Sequence, residues 1–508
     1  VRHRRAPHAA PSAGRPTRVG ASSVGVVPAL GSVLAWAAQA GAEPQATQGT
    51  QATGATQADG PASAGSFFRL GLEDQPLHTV EALGPTGAVV AGAIKVLLVF
   101  TVVMVVVAFL TLLERRLSAW IQDRMGPNRV GPYGILQPLA DGLKNILKEE
   151  TDPRAAARVY FFLAPALSIV PALITFAVVP FAAPLATPWG LVDMIVADVP
   201  VGILYILAIS SLGVYGLVMA GWASNSKYAF LGGLRAAAQM VSYEVALGMS
   251  LIPIFMLVGN VTLPQIVWAQ QEAYSLWFAL PLGLAFFLFV IAAFAETNRL
   301  PFDVPEAEAE LVTGYHTEYS SMKFSMFFIA EYSNMLTAAA LMATLFLGGW
   351  DVPFWQGDDM LVIAPGVVAG AAPAWWKTLL TLGAFVAKTA LFIGVFMWVR
   401  WTLPRFRYDQ VMHLGWKVLL PTALAYITLV GTTILVLDAV GLETGFVYGL
   451  VLTAVNLAAT IVFLFWLDND RVIGGASYRE PAARAPVGVV YERVEPARPR
   501  ERRRATPL

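Results

Sequence analysis

The sequence predicts an all-α, polytopic membrane protein, a transmembrane helix bundle with about eight core spans plus one extra C-terminal span. Two observations support this class. Of the 508 residues, 56% are hydrophobic and only 13% are charged, whereas soluble domains carry about 25% charged residues. The apolar residues also form long charge-poor runs, each sufficient to cross a hydrocarbon core about 30 Å thick. We therefore expect most of the chain to consist of membrane-crossing helices.

The pattern of apolar runs and basic loops predicts the spans and their orientation. The predicted spans lie near residues 89–113, 159–182, 200–221, 240–259, 277–295, 324–347, 376–399, 417–437 and 446–467. Lys and Arg occur in every second loop, and the intervening loops near 183–199, 260–276, 348–375 and 438–445 contain none. By the positive-inside rule, the basic loops and the C-terminal tail face the cytoplasm, and the N-terminal tail lies outside.

The chain is predicted to have four parts. These are an N-terminal leader (1–88), a membrane domain (89–437), an extra transmembrane helix (438–470) and a basic cytoplasmic tail (471–508). In the leader, arginines precede the apolar run Val24–Ala38 and the small residues Ala38–Gly41. This is the layout of a secretory signal peptide. A disordered tail from an over-long gene start and an arginine-rich transit peptide remain alternatives.

The composition excludes several kinds of chemistry. The chain has no cysteine, so disulfides, cysteine-ligated iron–sulfur clusters and thiolate zinc sites are excluded. Its five histidines all lie outside the long apolar runs, which argues against haem-carrying membrane helices. The formal net charge is zero and indicates no nucleic-acid partner. We expect no metal site and no covalently bound cofactor, so redox chemistry would use a diffusible substrate or another chain's cofactor.

The basic loop after the first span combines an amphipathic segment with rigid turns. Leu113–Ile121 places its apolar residues on one helical face, as in a helix lying in the membrane interface. Turns at Gly126–Asn128 and Gly131–Gly134 follow, and a charged helix begins near Gln137. Such turns between interfacial helices can form the collar of an opening for a quinone, which needs apolar walls and a few polar groups. An ordinary solvated surface is the alternative.

The loop between the fifth and sixth predicted spans is rich in acids, with Arg299 as its only fixed cation. Glu331 and Lys388 lie inside apolar spans, where a charge costs a few kcal/mol. Crowded carboxylates raise one another's pKa. We therefore predict a proton path or coupling element that includes Lys388 and the following acids: Glu244, Glu296, Asp303, Glu306, Glu308, Glu310, Glu318 and Glu331. A solvated acidic loop, and direct pairing of Glu331 with Lys388, are the alternatives.

These two loops resemble the signature regions of the H-subunit family of respiratory complex I, the proton-pumping NADH:quinone oxidoreductase. Further similar stretches are Gly221–Tyr228, Ser242–Glu244 and Leu403–Gln410. The resemblance covers roughly residues 89–437, and its motifs occur in the family's order. The leader and the residues beyond 437 extend past the family pattern.

The resemblance implies a membrane subunit that forms the quinone channel and couples quinone reduction by NADH to proton translocation in the bacterial cytoplasmic (inner) membrane. It places on the quinone channel Glu114, Arg115, Arg124, Asp141 and Lys144. It places on the proton path the acids named above together with Arg299. Quinone is then the substrate, and NADH, FMN and iron–sulfur clusters belong to partner subunits. The implied partners are peripheral quinone-site and iron–sulfur subunits, adjacent small membrane subunits and the lipid bilayer.

Two other functions remain possible from sequence. The equivalent membrane component of a membrane-bound hydrogenase would have a nickel-containing partner. A stand-alone proton or ion transporter would be supported by inverted repeats with broken helices, and no such repeats are evident.

Overall fold

The computed structural model describes residues 85–187, 190–353, 355–364, 367–442 and 444–468. Within these residues, eight helices are long and apolar enough to cross a membrane. The predicted all-α, multi-pass class is therefore confirmed. The predicted leader, apart from its last residues, and the predicted basic tail lie outside the described residues.

The helices and strands follow one another in this order. The first half contains α1 (Pro85–Ile121), α2 (Gln137–Leu147), α3 (Arg158–Ile174), β1 (Leu185–Thr187), β2 (Gly190–Val192), α4 (Gly202–Ala223), α5 (Lys227–Val258) and α6 (Leu263–Trp268). The second half contains α7 (Gly283–Glu296), α8 (Glu308–Leu311), α9 (Ser321–Phe346), β3 (Met360–Ala364), β4 (Val367–Gly370), α10 (Trp375–Thr402), α11 (Tyr408–His413), α12 (Leu420–Val440) and α13 (Phe446–Asp468). Each strand pair is a small antiparallel hairpin.

The fifth predicted span is helical only in its second half. Helix α7 has 14 residues, or about 21 Å at 1.5 Å per residue, which is short of the hydrocarbon core. Pro281 and Gly283 at its start both disfavour an uninterrupted helix. Asn456 of the extra C-terminal helix α13 binds this irregular start: its Oδ1 accepts from the Leu284 amide at 2.9 Å and its Nδ2 donates to the Leu280 carbonyl at 3.0 Å.

The amphipathic segment predicted as a separate interfacial helix is the end of α1. Helix α1 runs without interruption through Glu114 to Ile121. No glycine or proline occurs between Glu114 and Met125, so nothing in the sequence ends the helix before the turn at Gly126. The charged end of α1 is therefore held rigidly to its apolar span.

Helix α9 lies at the centre of the bundle. It is the most enclosed of the eight long helices, with 67% of its apolar window buried, and it packs against α1, α3 and α10. The acidic loop that precedes it (residues 297–320) is pressed onto α5. A Cβ on Gly232 of α5 would stand 2.7 Å from the Tyr315 backbone nitrogen, so glycine is needed for this close approach.

Candidate functional site

A lateral cavity of about 590 Å³ lies between α1, α2, α9 and α10. One part of its wall is apolar and includes Met104, Val107, Ala108, Phe328 and Ile329. The other part is charged and includes Glu114, Arg115, Asp141, Lys144 and Arg400. The volume falls within the about 300–1,000 Å³ of small-molecule sites. The cavity thus suits an amphiphilic ligand with a polar head and an apolar tail.

Four of the five residues predicted to bind quinone line this lateral cavity: Glu114, Arg115, Asp141 and Lys144. Arg124, the fifth, lines a separate cavity of about 470 Å³ at the turn after α1, with Arg129 and Asn128. Arg115 reaches both cavities. The structure therefore groups four of the predicted residues and places Arg124 apart from them.

Arg115 and Asp141 join the end of α1 to α2. Arg115 Nη1 lies 2.5 Å from Asp141 Oδ2, and Gln137 donates to the other Asp141 oxygen at 3.0 Å. The Arg115 side chain is 50% exposed, so this pair contributes at most about 1 kcal/mol to stability. Its effect is to set the position of two charged groups at the cavity.

A buried charge network, formed by Glu114, Arg299, Glu331, Tyr332 and Arg400, lies behind the charged wall. Glu114 is 5% exposed and accepts hydrogen bonds from Arg299 at 3.0 Å and from the Tyr332 hydroxyl at 2.8 Å. Arg400 also donates to Glu114. Arg299 Nε lies 2.7 Å from Glu331. Two carboxylates and two guanidinium groups therefore compensate one another in a site where unpaired charge would be costly.

The acidic loop adds a second layer of charge beside this network. Asp303 pairs with Arg405 at 2.7 Å. Glu306 lies 3.5 Å from the Tyr315 hydroxyl and 3.7 Å from His316 Nδ1. The Phe406 amide donates to the Pro301 carbonyl at 3.0 Å, which ties the loop to the segment after α10.

Burial sets the protonation of these loop residues. It raises the pKa of Asp303 to about 6 despite the opposing attraction of Arg405. Burial, together with the negative charges of Glu331 and Asp303, raises the pKa of Glu306 well above its ordinary value. Burial also lowers the pKa of His316 to about 4, so this histidine is neutral at pH 7. The loop therefore contains carboxyl groups that take up and release protons near neutral pH.

The raised pKa of Asp303 gives a testable pH dependence. Its value of about 6 lies above the ordinary 3.8, so folding favours the protonated form. The contribution, on the order of 3 kcal/mol, is complete below about pH 4 and is lost as the pH rises through about 6. We expect Asp303→Asn to remove this loss. Thermal unfolding of the purified complex as a function of pH checks it, and parallel curves for the two proteins would contradict it.

The remaining predicted acids lie outside the buried charge network. Glu296, at the end of α7, lines a small cavity of about 40 Å³ with Ser210 and Asn334, and Glu244 lies within its electrostatic reach. Glu308 and Glu310 are exposed, and Glu318 is half-buried. Glu310 pairs with Arg235 at 2.5 Å. The predicted single path is therefore divided into a central network, a separate Glu244 and Glu296 pair, and surface carboxylates.

Lys388 lies far from these acids along the bundle. Its ammonium donates to the carbonyls of Leu347, Gly349 and Asp351 at 2.5, 3.2 and 2.6 Å. Leu347 follows the C-terminal end of α9, roughly 24 Å along the helix from Glu331 at 1.5 Å per residue. The alternative of a direct Glu331–Lys388 pair is therefore wrong. The helix carries the two charged positions to opposite ends of the bundle.

Sequence reasoning missed several residues of the site. In the sequence, Arg400 and Arg405 indicate only the orientation of the spans, and no local pattern marks Tyr332 or His316. One signal was present for the arginines, because the similar stretch Leu403–Gln410 contains Arg405 and begins three residues after Arg400.

Fold and site together define a class: a multi-pass membrane protein whose buried, titratable charges adjoin an amphiphile-shaped lateral cavity. A family model described as NADH dehydrogenase matches residues 94–431. The chain belongs to this family.

Curated relatives agree with this assignment, and all three are H subunits of NADH-quinone oxidoreductases. The one numbered 1 in Geobacter metallireducens is 49% identical over 337 residues, covering 66% of this chain and 94% of the relative. The one from Magnetococcus marinus is 48% identical over 345 residues, covering 68% and 92%. The one from Leptospira biflexa is 46% identical over 344 residues, covering 66% and 92%. The family model leaves the residues before position 94 and the extra helix α13 unmatched.

Proposed function

We propose that this chain is the H subunit of a respiratory NADH:quinone oxidoreductase, where it forms the quinone channel and couples quinone reduction to proton translocation. Support comes from the names of the relatives and from the lateral cavity. The single observation that carries the proposal is the position of Glu114. This carboxylate lines the cavity and also pairs with Arg299 and Arg400.

The mechanism begins with entry of a quinone from the bilayer along the apolar wall of the lateral cavity. Its head group comes to rest near Glu114, Arg115 and Arg400 on the way to a partner subunit. Two-electron reduction adds negative charge that two protons must neutralise. Because Glu114 shares Arg299 with Glu331, a charge change at the cavity alters the balance at Glu331.

The acidic loop is the second step of the proposed coupling. Asp303 and Glu306 feel the charge of Glu331, so a change at Glu331 shifts their proton affinity. Each carboxyl group that exchanges a proton then alters the next, as expected for interacting titratable sites. Glu296 and Glu244 continue the path toward neighbouring membrane subunits. Arg124, on the separate basic cavity, contacts the peripheral arm.

The proposal also assigns the cofactors, partners and location. NADH, FMN and iron–sulfur clusters lie on partner subunits, because cysteine-ligated clusters cannot form on a chain without cysteine. Peripheral quinone-site subunits dock on the basic loops, and small membrane subunits pack beside α5 and α7. The complex lies in a bacterial cytoplasmic membrane with the basic loops on the cytoplasmic side.

A plug in the lateral cavity tests the quinone assignment. Gly142 lines the cavity, and a Cβ at this position meets nothing within 4 Å. We expect Gly142→Trp to fold, to fill the cavity and to lower the NADH:quinone reductase rate about tenfold or more, which corresponds to about 1.4 kcal/mol. Gly142→Ala, which leaves the space open, is expected to keep the wild-type rate.

A second control separates plugging from bulk alone. Gly383 of α10 is exposed and also has open space around its Cβ position, but it lies away from the cavity. Gly383→Trp is expected to retain activity. Wild-type quinone reduction in a fully assembled Gly142→Trp complex would overturn the assignment of the cavity.

A further inference from the structure

A second cluster of buried carboxylates lies beyond the distal end of α9, at the opposite end of the bundle from the acidic loop. This distal carboxylate cluster consists of Asp351, Asp358 and Asp359, which are 9%, 0% and 8% exposed. One carboxylate oxygen of each lies within 4.8 Å of the others. Three buried acids of like charge at this spacing require compensation.

The hydrogen bonds around the distal carboxylate cluster leave one oxygen unused. Asp351 Oδ2 accepts from the Trp277 indole nitrogen. Asp358 Oδ2 accepts from the Val352 amide at 2.7 Å. Asp358 Oδ1 is buried and, among the described residues, has no hydrogen-bond partner. An unpaired oxygen on a fully buried carboxylate is costly unless another ligand occupies that position.

The nearest cation is used elsewhere. Lys388 has three donors, and the carbonyls of Leu347, Gly349 and Asp351 accept from its ammonium. It therefore stabilises the backbone turn after α9 and does not neutralise three acids. Burial and the negative charge of neighbouring carboxylates raise the pKa of Asp358 to about 6 and that of Asp359 to about 7, so the cluster lacks positive charge at its centre.

We propose that Asp351, Asp358 and Asp359 bind a divalent cation of the hard, oxygen-preferring kind, with Ca²⁺ as the fitting ion. Carboxylates bind Ca²⁺ in monodentate or bidentate mode, and a flexible shell of 6–8 oxygens can be completed by water. The cation occupies the position faced by Asp358 Oδ1 and joins the turn after α9 to the start of β3. This site is separate from the lateral cavity and does not depend on the proposed quinone function.

Trp277 makes the site observable. Tb³⁺ occupies calcium sites and emits when a nearby tryptophan is excited, and the Trp277 ring directly contacts Asp351. We expect the purified wild-type complex, freed of Ca²⁺, to show saturable tryptophan-sensitised Tb³⁺ emission that millimolar Ca²⁺ displaces. Asp358→Asn is expected to weaken Tb³⁺ binding at least about tenfold, because even loss of an outer-shell partner has that effect.

Two further variants complete the experiment. Asp359→Asn should weaken Tb³⁺ binding similarly and serves if Asp358→Asn fails to assemble. Asp438→Asn removes an exposed carboxylate of α12 and should leave the emission unchanged. Absence of Ca²⁺-displaceable emission in the wild-type complex, or equal emission in the wild-type, Asp358→Asn and Asp359→Asn complexes, would overturn the proposal.

Discussion

Replacing Arg299 with Met is expected to remove most of the assembled protein from the membrane. Arg299 is 3% exposed and is the only cation that contacts both Glu114 and Glu331 among the described residues. Its guanidinium also lies 4.3 Å from the centre of the Tyr332 ring. Breaking a buried ion pair by removing one partner costs about 3–5 kcal/mol, a large part of a typical total of about 5–15 kcal/mol.

The abundance of this chain in membranes and the thermal unfolding of the purified complex measure this effect. Arg235→Met is the matched control, because Arg235 pairs with Glu310 and the two side chains are 29% and 45% exposed. Such a partly exposed pair contributes at most about 1 kcal/mol, so this variant should assemble normally. Equal stability of the two variants would show that the buried charge network does not hold the helices together.

Glu114→Gln is expected to lower quinone reduction and proton pumping together, by about tenfold or more. The substitution preserves the shape of the side chain and its ability to accept from Tyr332 and one arginine. It removes the negative charge that Arg400 and Arg299 share. The charged wall of the cavity then becomes more positive, and the link to Glu331 is lost. A tenfold loss corresponds to about 1.4 kcal/mol in the activation barrier.

Assembly should survive Glu114→Gln better than Arg299→Met. Arg299 keeps Glu331 as a partner at 2.7 Å, and the Arg400 side chain is 33% exposed, so water can solvate part of its charge. The two variants therefore separate stability from coupling. NADH oxidation with a water-soluble acceptor that takes electrons upstream of quinone should remain normal in Glu114→Gln.

The membrane class and the importance of Glu331 were predictable because both are local signals. A long charge-poor run indicates a span whatever its neighbours are, and an acid inside such a run is a candidate functional residue by itself. The shortness of α7 was less accessible. The apolar run continues through Pro281 and Gly283, and only the docking of Asn456 shows where the helix begins.

The partners of each charge could not be predicted in the same way. Glu306 and Glu308 are two residues apart in one acidic stretch, yet Glu306 lies beside His316 and Glu308 is exposed. Which acids face inward depends on how the loop folds onto α5, and that depends on tertiary contacts. Arg400 meets Glu114 across 286 positions of sequence, a distance at which no spacing rule applies.

The most direct test of the proposed coupling is proton pumping per quinone reduced in vesicles carrying Glu114→Gln, measured beside Glu310→Gln at equal complex content. Glu310 is an exposed acid of the same charge, so its variant is the control for loss of a carboxylate alone. We predict that Glu114→Gln loses most quinone-dependent pumping and that Glu310→Gln retains most of it. Wild-type pumping in Glu114→Gln would contradict a role for this carboxylate in linking the lateral cavity to the buried charge network.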